Sequence, residues 1–201
     1  MSQRERIGVF GGAFDPPHRG HVALAHAAIA QLDLNELRIV PTGQAWHKSR
    51  PLSPAAHRLA MCQAAFGDLP GMWVDAIEIE RDGPSYTVDT LEALHRQRPE
   101  AQLLLLIGQD QAQGLPAWHR AADLARLAII WVAVRPDEAG QVTALDATLR
   151  ATFSLQALPM SAQAVSSTDI RHRVAHRQPV QAMLPDTVAR YIADHHLYQT
   201  P

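Results

Sequence analysis

Cysteine and lysine are almost missing from this sequence. Of 201 residues only Cys62 is a cysteine, and among 18 Lys+Arg only Lys48 is a lysine. A single thiol excludes a disulfide framework within the chain and a cysteine-built zinc centre. Aromatic residues are sparse at 5%, so each tryptophan needs its own account. The longest apolar runs, 103–107 and 127–134, are far too short to span a bilayer. A formal charge of −2 provides no broad basic field, which argues against nucleic acid or an anionic membrane as partner. A local cationic pocket for a phosphorylated small molecule remains compatible with it. Residues 1–6 mix charges and lack the pattern of a secretory signal. A water-soluble, cytoplasmic chain is the expectation.

What is present looks like an ordinary globular chain. Hydrophobic residues make up 47% and charged residues 19%, and the length suits a single domain able to bury a core. The one excess is histidine, at 11.

Short apolar runs at 7–10, 37–40, 103–107 and 129–134 read as strands, each followed by glycine or proline or by a helical pattern. Residues 74–80 alternate apolar with acidic side chains and predict an edge strand; 153–158 predict a last one. Helical spacing is expected over 18–32, from Pro54 to Phe66 with Ser53 as cap, and over 87–98, 116–127, 168–176 and 185–195. Residues 137–151 read as a surface excursion. Buried strands separated by helices imply an α/β fold, a doubly wound parallel sheet covered on both faces. A small helical subregion from about residue 160 onward completes one domain over 1–201. Trp73 and Trp131 are expected in the core.

The strongest local signal is Gly11-Gly12-Ala13-Phe14-Asp15-Pro16-Pro17-His18-Arg19-Gly20-His21, directly after the first strand. A Gly-Gly turn lets backbone N–H groups approach an anion with no Cβ in the way. The helix that follows adds oriented donors. His18 and His21 share one face of its first turn, where imidazole N–H groups suit phosphate oxygens. Gly108-Gln109-Asp110 follows a buried strand, where open sheets bind ligands; Asp110 suits ribose hydroxyls or a helix cap. Ser166-Ser167-Thr168 with Arg171 reads either as an N-cap or as a phosphate cradle. Trp118 offers an indole face for a planar ring, or a core anchor.

The first of these segments resembles the nucleotidylyltransferase signature, approximately GGxFDPxHxGH. Along nearly the whole chain the sequence is similar to bacterial nicotinate-nucleotide adenylyltransferases. The matching pieces, in order, are 41–48, Pro84 to Leu91, Gly108-Gln109-Asp110, 115–118, Arg135-Pro136, Ser166 to Arg171 and 184–198. The resemblance implies adenylyl transfer from ATP to nicotinate mononucleotide, with Mg²⁺ arriving on the ATP phosphates rather than in a protein cage. It implies His18, His21 and Arg171 as catalytic residues. ATP would meet Gly11, Gly12, Ala13, Phe14, His18, His21, Gly108, Asp110, Ser166, Ser167, Thr168 and Arg171. Nicotinate mononucleotide would meet Thr42, His47, Lys48, Tyr86, Thr87, Trp118, His119 and Arg135. The nicotinate carboxylate would be held by backbone N–H groups near Thr87 and His119. Two departures stand out: Ala45-Trp46 replaces the usual Pro-Pro before His47, and Ala13 stands where Thr is common.

Three other readings compete: a sibling transferase for the amide mononucleotide or phosphopantetheine, a histidine-rich metal binder, and a nucleotide-binding module without turnover. Monomer and homo-oligomer are both open.

Overall fold

A strand buried on both faces can satisfy its N–H and C=O groups only through neighbouring strands, so apolar runs of this kind must lie inside a sheet. The computed structural model describes residues 4–44, 51–134, 146–161 and 164–199. Its strands are β1 (Arg6–Gly12), β2 (Glu36–Pro41), β3 (Met72–Val74), β4 (Gln102–Gly108), β5 (Ala128–Val134) and β6 (Gln156–Pro159). They form one parallel sheet in the order β3-β2-β1-β4-β5-β6. The helices are α1 (Arg19–Gln31), α2 (Ala55–Phe66), α3 (Thr87–Gln97), α4 (Gln109–Gly114), α5 (Ala121–Leu127), α6 (Ala147–Phe153), α7 (Ser167–Ala175) and α8 (Asp186–Asp194). This is the Rossmann-like, doubly wound α/β architecture that the sequence implies.

Strand β4 shows why the run Leu103–Ile107 carries no polar residue. Leu104 and Leu106 point into a core shared with residues of α1, α2, α7 and α8. Leu103, Leu105 and Ile107 point into the opposite core, shared with α3, α5 and Phe153 of α6. Both pleat faces are covered, so both must be apolar. The chain moves outward from β1 to β3, then returns to β4 on the other side of β1. That reversal opens a crevice at the carboxyl ends of β1 and β4, where Gly12 and Gly108 stand.

Several local expectations are corrected. The alternation at 74–80 does not continue as a strand beyond Val74, because Asp75 Oδ1 accepts from the Ile77 N–H at 3.0 Å. That side-chain turn, followed by Ile79 N–H on the Ala76 carbonyl, curls the segment away from the sheet. Trp73 is 62% exposed rather than core; the pleat sends Met72 inward and turns Trp73 out on a three-residue edge strand. Trp131 is half-buried against the first core. The helix expected over 116–127 is a 3-10 turn (Leu115–Ala117) and then α5, separated by extended Trp118 and left-handed Arg120 (φ 51°). Arg120 is held there by Glu92 at 2.7 Å and Asp123 at 2.8 Å. Phe153 ends α6 and does not open a strand. Pro54, not Ser53, occupies the cap position of α2. Part of the 137–151 excursion lies outside the described residues; 147–151 belong to α6. No helix among the described residues is long and apolar enough to cross a membrane.

Candidate active site

Gly11 and Gly12 are the last residues of β1, paired with Val40 and Pro41, and do not form the expected turn; the chain turns just after them, and that turn divides the site into two halves. On one side lies a cavity of about 320 Å³. Gly11, Gly12 and Ala13 reach it from the end of β1, and Thr42 from the end of β2. Tyr86 and Thr87 enter at the start of α3, Trp118 and His119 after the 3-10 turn. Residues scattered over more than a hundred positions of sequence thus surround one space. The break at Arg120 is what allows this, since a continuous helix would carry Trp118 and His119 elsewhere. His119 stacks on Tyr86 with ring centroids 4.1 Å apart at the cavity wall. The cavity walls from the sheet are Val9, Val40, Leu105 and Ile107, so a planar ring there meets apolar surface.

Two buried polar groups that the sequence reading missed shape this cavity. Glu78 is buried among Ser85, Thr90 and Gly43 and accepts from Thr90 Oγ1 at 2.8 Å. Burial pushes its carboxyl upward, opposed by Thr90, Arg81, Ser85 and the Gly43 N–H. Ser85 Oγ accepts from the Gly43 and Gln44 N–H groups, both at 3.1 Å. The loop after β2 is thereby tied to the start of α3. Arg58, 1% exposed in α2, spans the same region. It donates to the carbonyls of Ser53 at 2.9 Å, Ala13 at 3.1 Å and Gly43 at 3.2 Å. Burial lowers its pKa, opposed first by the Asp15 charge. A charged residue on the inner face of an amphipathic helix gives no periodic signal, which is why Arg58 escaped notice.

On the other side of the turn stand the histidines. His18 is the residue before α1, in extended conformation, and His21 lies in its first turn. Their rings stack at 3.7 Å. The His18 N–H donates to His21 Nδ1 at 3.2 Å, which places the His21 proton on Nε2. His18 Nδ1 is buried with no partner among the described residues. Burial holds the His18 imidazole down at about 4. Burial, and then the neighbouring His18, hold His21 well below its ordinary value. At neutral pH both rings are therefore uncharged donors, not cations.

Helix α7 docks against the same turn. Ser166 caps it, its Oγ accepting from the Asp169 N–H at 3.1 Å. Ser167 Oγ donates to the Pro16 carbonyl at 2.9 Å. Arg171 donates from Nη1 to the Asp15 carbonyl at 2.7 Å and from Nη2 to Thr168 Oγ1 at 3.0 Å. Ser167 thus spends its O–H within the protein, whereas Ser166 and Thr168 only accept and keep an O–H to donate; with the first-turn N–H groups of α7 these are what the segment offers to an anion. Phe14, placed among the nucleotide contacts by resemblance, is 2% exposed and packs edge-on against Phe10, His21 and Phe66. The Gly108 N–H is taken by Gln111 Oε1 at 2.9 Å, and Asp110 is exposed in the first turn of α4. His47, Lys48 and Arg135 lie outside the described residues.

A family model described as cytidylyltransferase-like matches residues 9–173. A probable nicotinate-nucleotide adenylyltransferase of Albidiferax ferrireducens is 55% identical, covering 98% of this chain and 99% of its own length. One from Bacillus pumilus is 40% identical over 98% of this chain and 100% of its own. Among solved structures, the Plasmodium falciparum nicotinic acid mononucleotide adenylyltransferase complexed with NaAD superposes with a TM-score of 0.80. That match covers 96% of this chain and 97% of the other at 18% identity, so it bears on the fold alone.

Proposed function

The chain belongs to the cytidylyltransferase-like family and within it to the nicotinate-nucleotide adenylyltransferases, and from that premise we propose how its residues divide the work. It is a nucleotidyltransferase of NAD biosynthesis. ATP and nicotinate mononucleotide are the substrates, deamido-NAD and pyrophosphate the products. The observation that carries the reading is the two-sided site around Gly11-Gly12: a ring-sized, mostly apolar cavity on one side, the stacked His18 and His21 rings and Arg171 on the other.

The nicotinate ring enters the cavity against Trp118, with its carboxylate near the Thr87 and His119 N–H groups; Thr42 and Tyr86 line the remaining wall. His47, Lys48 and Arg135 complete the hold on the mononucleotide phosphate. Adenosine lies toward Gly108 and Asp110. The triphosphate lies along Gly11–Phe14, His18, His21 and the first turn of α7 with Ser166, Ser167, Thr168 and Arg171. A 5′-phosphate oxygen of the mononucleotide attacks the α-phosphorus, the bond to the bridging oxygen breaks, and pyrophosphate leaves with the electron pair. The attacking phosphate has a second pKa near 6 and is mostly dianionic at neutral pH, so no base is required. The protein supplies alignment and donors to the developing charge. His21 Nε2–H and the His18 ring supply donors on this side.

Mg²⁺ fits this donor set only as a passenger on ATP: the groups gathered here are N–H donors and a guanidinium, and magnesium prefers oxygen. Bound there, it would neutralise triphosphate charge. With these substrates the enzyme is read as cytoplasmic, and residues 1–201 as one domain with a helical C-terminal subregion. The test is pyrophosphate release from ATP with the acid or the amide mononucleotide. Turnover with the acid is expected, reduced by orders of magnitude in His21→Ala while the fold is kept. No release with the acid, or a folded His21→Ala enzyme at wild-type rate, refutes it.

A further inference from the structure

Asp15 lies three positions before His18, is 1% exposed, and no step of the transfer calls on its carboxyl group. That carboxylate is nonetheless closely held. Oδ1 accepts from the Tyr198 hydroxyl at 2.8 Å, and Oδ2 from the Ser53 N–H at 3.3 Å. The carbonyl of the same residue is the acceptor for Arg171 Nη1 at 2.7 Å, and the next carbonyl, Pro16, is the acceptor for Ser167 Oγ. One residue thus carries a tyrosine on its side chain and the phosphate-facing guanidinium on its backbone. A rotation at Asp15 moves Arg171 relative to the His18–His21 pair.

We propose that Tyr198 is a positioning residue for the transfer: through Asp15 its hydroxyl sets the distance between Arg171 and the histidine pair. The inference rests on the reading of the site as an adenylyltransferase. Tyr198 adopts φ 61°, a left-handed conformation that a bulky side chain seldom takes. It keeps that backbone while its ring packs on the core under α2, with the hydroxyl 3.8 Å from Met61 Sδ. Burial, and then the Asp15 charge, push the phenol upward, so it stays a donor. The C-terminal helices have other attachments. Thr187 Oγ1 donates to the Ala64 carbonyl at 2.5 Å, and the Arg19 N–H to the Met183 carbonyl at 2.9 Å. Docking should therefore survive loss of the Tyr198 hydroxyl, leaving alignment as what is lost.

The test compares Tyr198→Phe with Thr187→Val in the full chain, measuring pyrophosphate release well below either melting temperature. Tyr198→Phe is expected to lower kcat about tenfold or more, since sub-ångström misplacement of charge-bearing groups is costly. Its KM for nicotinate mononucleotide should stay that of wild type, because the cavity lies on the other side of the turn. Thr187→Val is expected to melt earlier and keep its kcat. Unchanged kcat in Tyr198→Phe overturns the inference, as does an equal loss in Thr187→Val, which would mean general loosening. A wild-type chain that releases no pyrophosphate from this pair of substrates would overturn the underlying reaction; wild-type turnover with unaltered Tyr198→Phe overturns the positioning role alone.

Discussion

Replacing Arg58 by methionine should cost this protein more than any surface change, and the structure says how much. The guanidinium is 1% exposed and donates to three carbonyls, those of Ser53, Ala13 and Gly43. Methionine keeps most of the volume and the apolar stem but removes every donor. A hydrogen bond to a charged group is worth about 1.5–3 kcal/mol. The three do not add, because burying the cation opposes them, and the buried Asp15 and Glu78 charges also lose a nearby partner. Removing one member of such a buried charged cluster costs about 3–5 kcal/mol. In a chain of this size that lowers the melting temperature by roughly 10 °C or more. Ala13 and Gly43 belong to the two loops that meet at the cavity, so KM for the mononucleotide should rise severalfold while the histidine half is less affected. Arg58→Lys keeps the charge but cannot fork to three carbonyls, and should fall between. The measurements are calorimetric melting and steady-state pyrophosphate release. A methionine variant melting within about 2 °C of wild type would refute the reasoning. So would a lysine variant identical to wild type in both assays.

Two other outcomes follow from groups at the same site. His18 is held down at about 4 against an ordinary 6.5, so the unfolded chain takes up the proton first as pH falls. The stability this neutral ring allows is complete above pH 6.5 and is lost toward pH 4, of the order of 3 kcal/mol. His21, also lowered, acts in the same direction. Denaturant midpoints between pH 7 and 4 should show a shallower fall in His18→Asn; parallel curves would count against it. At Gly43 an added Cβ would stand 2.1 Å from the Glu78 carbonyl oxygen and 2.9 Å from Ser85 Oγ. Gly43→Ala should therefore destabilise by about 3 kcal/mol or more through overpacking against backbone. Gly114→Ala meets nothing within 4 Å and should stay within about 0.5 kcal/mol of wild type; equal urea midpoints for the two would contradict this.

Legibility tracked the range of the interactions involved. The Gly11–His21 segment was readable because a tight turn, a helix start and two histidines at i, i+3 are all local. The Leu103–Ile107 strand was readable because covering on both faces leaves an uninterrupted apolar run. Trp73 misled, since composition favours burying an indole and only the three-residue length of β3 leaves it 62% exposed. The helical pattern over 116–127 misled in another way: its spacing is correct for α5, but the ion pairs that hold Arg120 left-handed come from Glu92 on α3 as well as Asp123.

By itself the sequence determined the α/β alternation, the turn after β1 and the placing of His18 and His21 on one face of the helix start, because these rest on contacts between near neighbours. Only the tertiary structure decided that those histidines stack and are uncharged, and that Phe14 belongs to the core. It also decided that Arg58 ties the loops after β1 and β2 together, that Glu78 is buried against Thr90, and that Tyr198 donates to Asp15. Each of those depends on burial and on partners that meet across up to 183 positions of chain. Charge state and hydrogen-bond partners are set by what surrounds a side chain, and that is known only once the chain has closed around it.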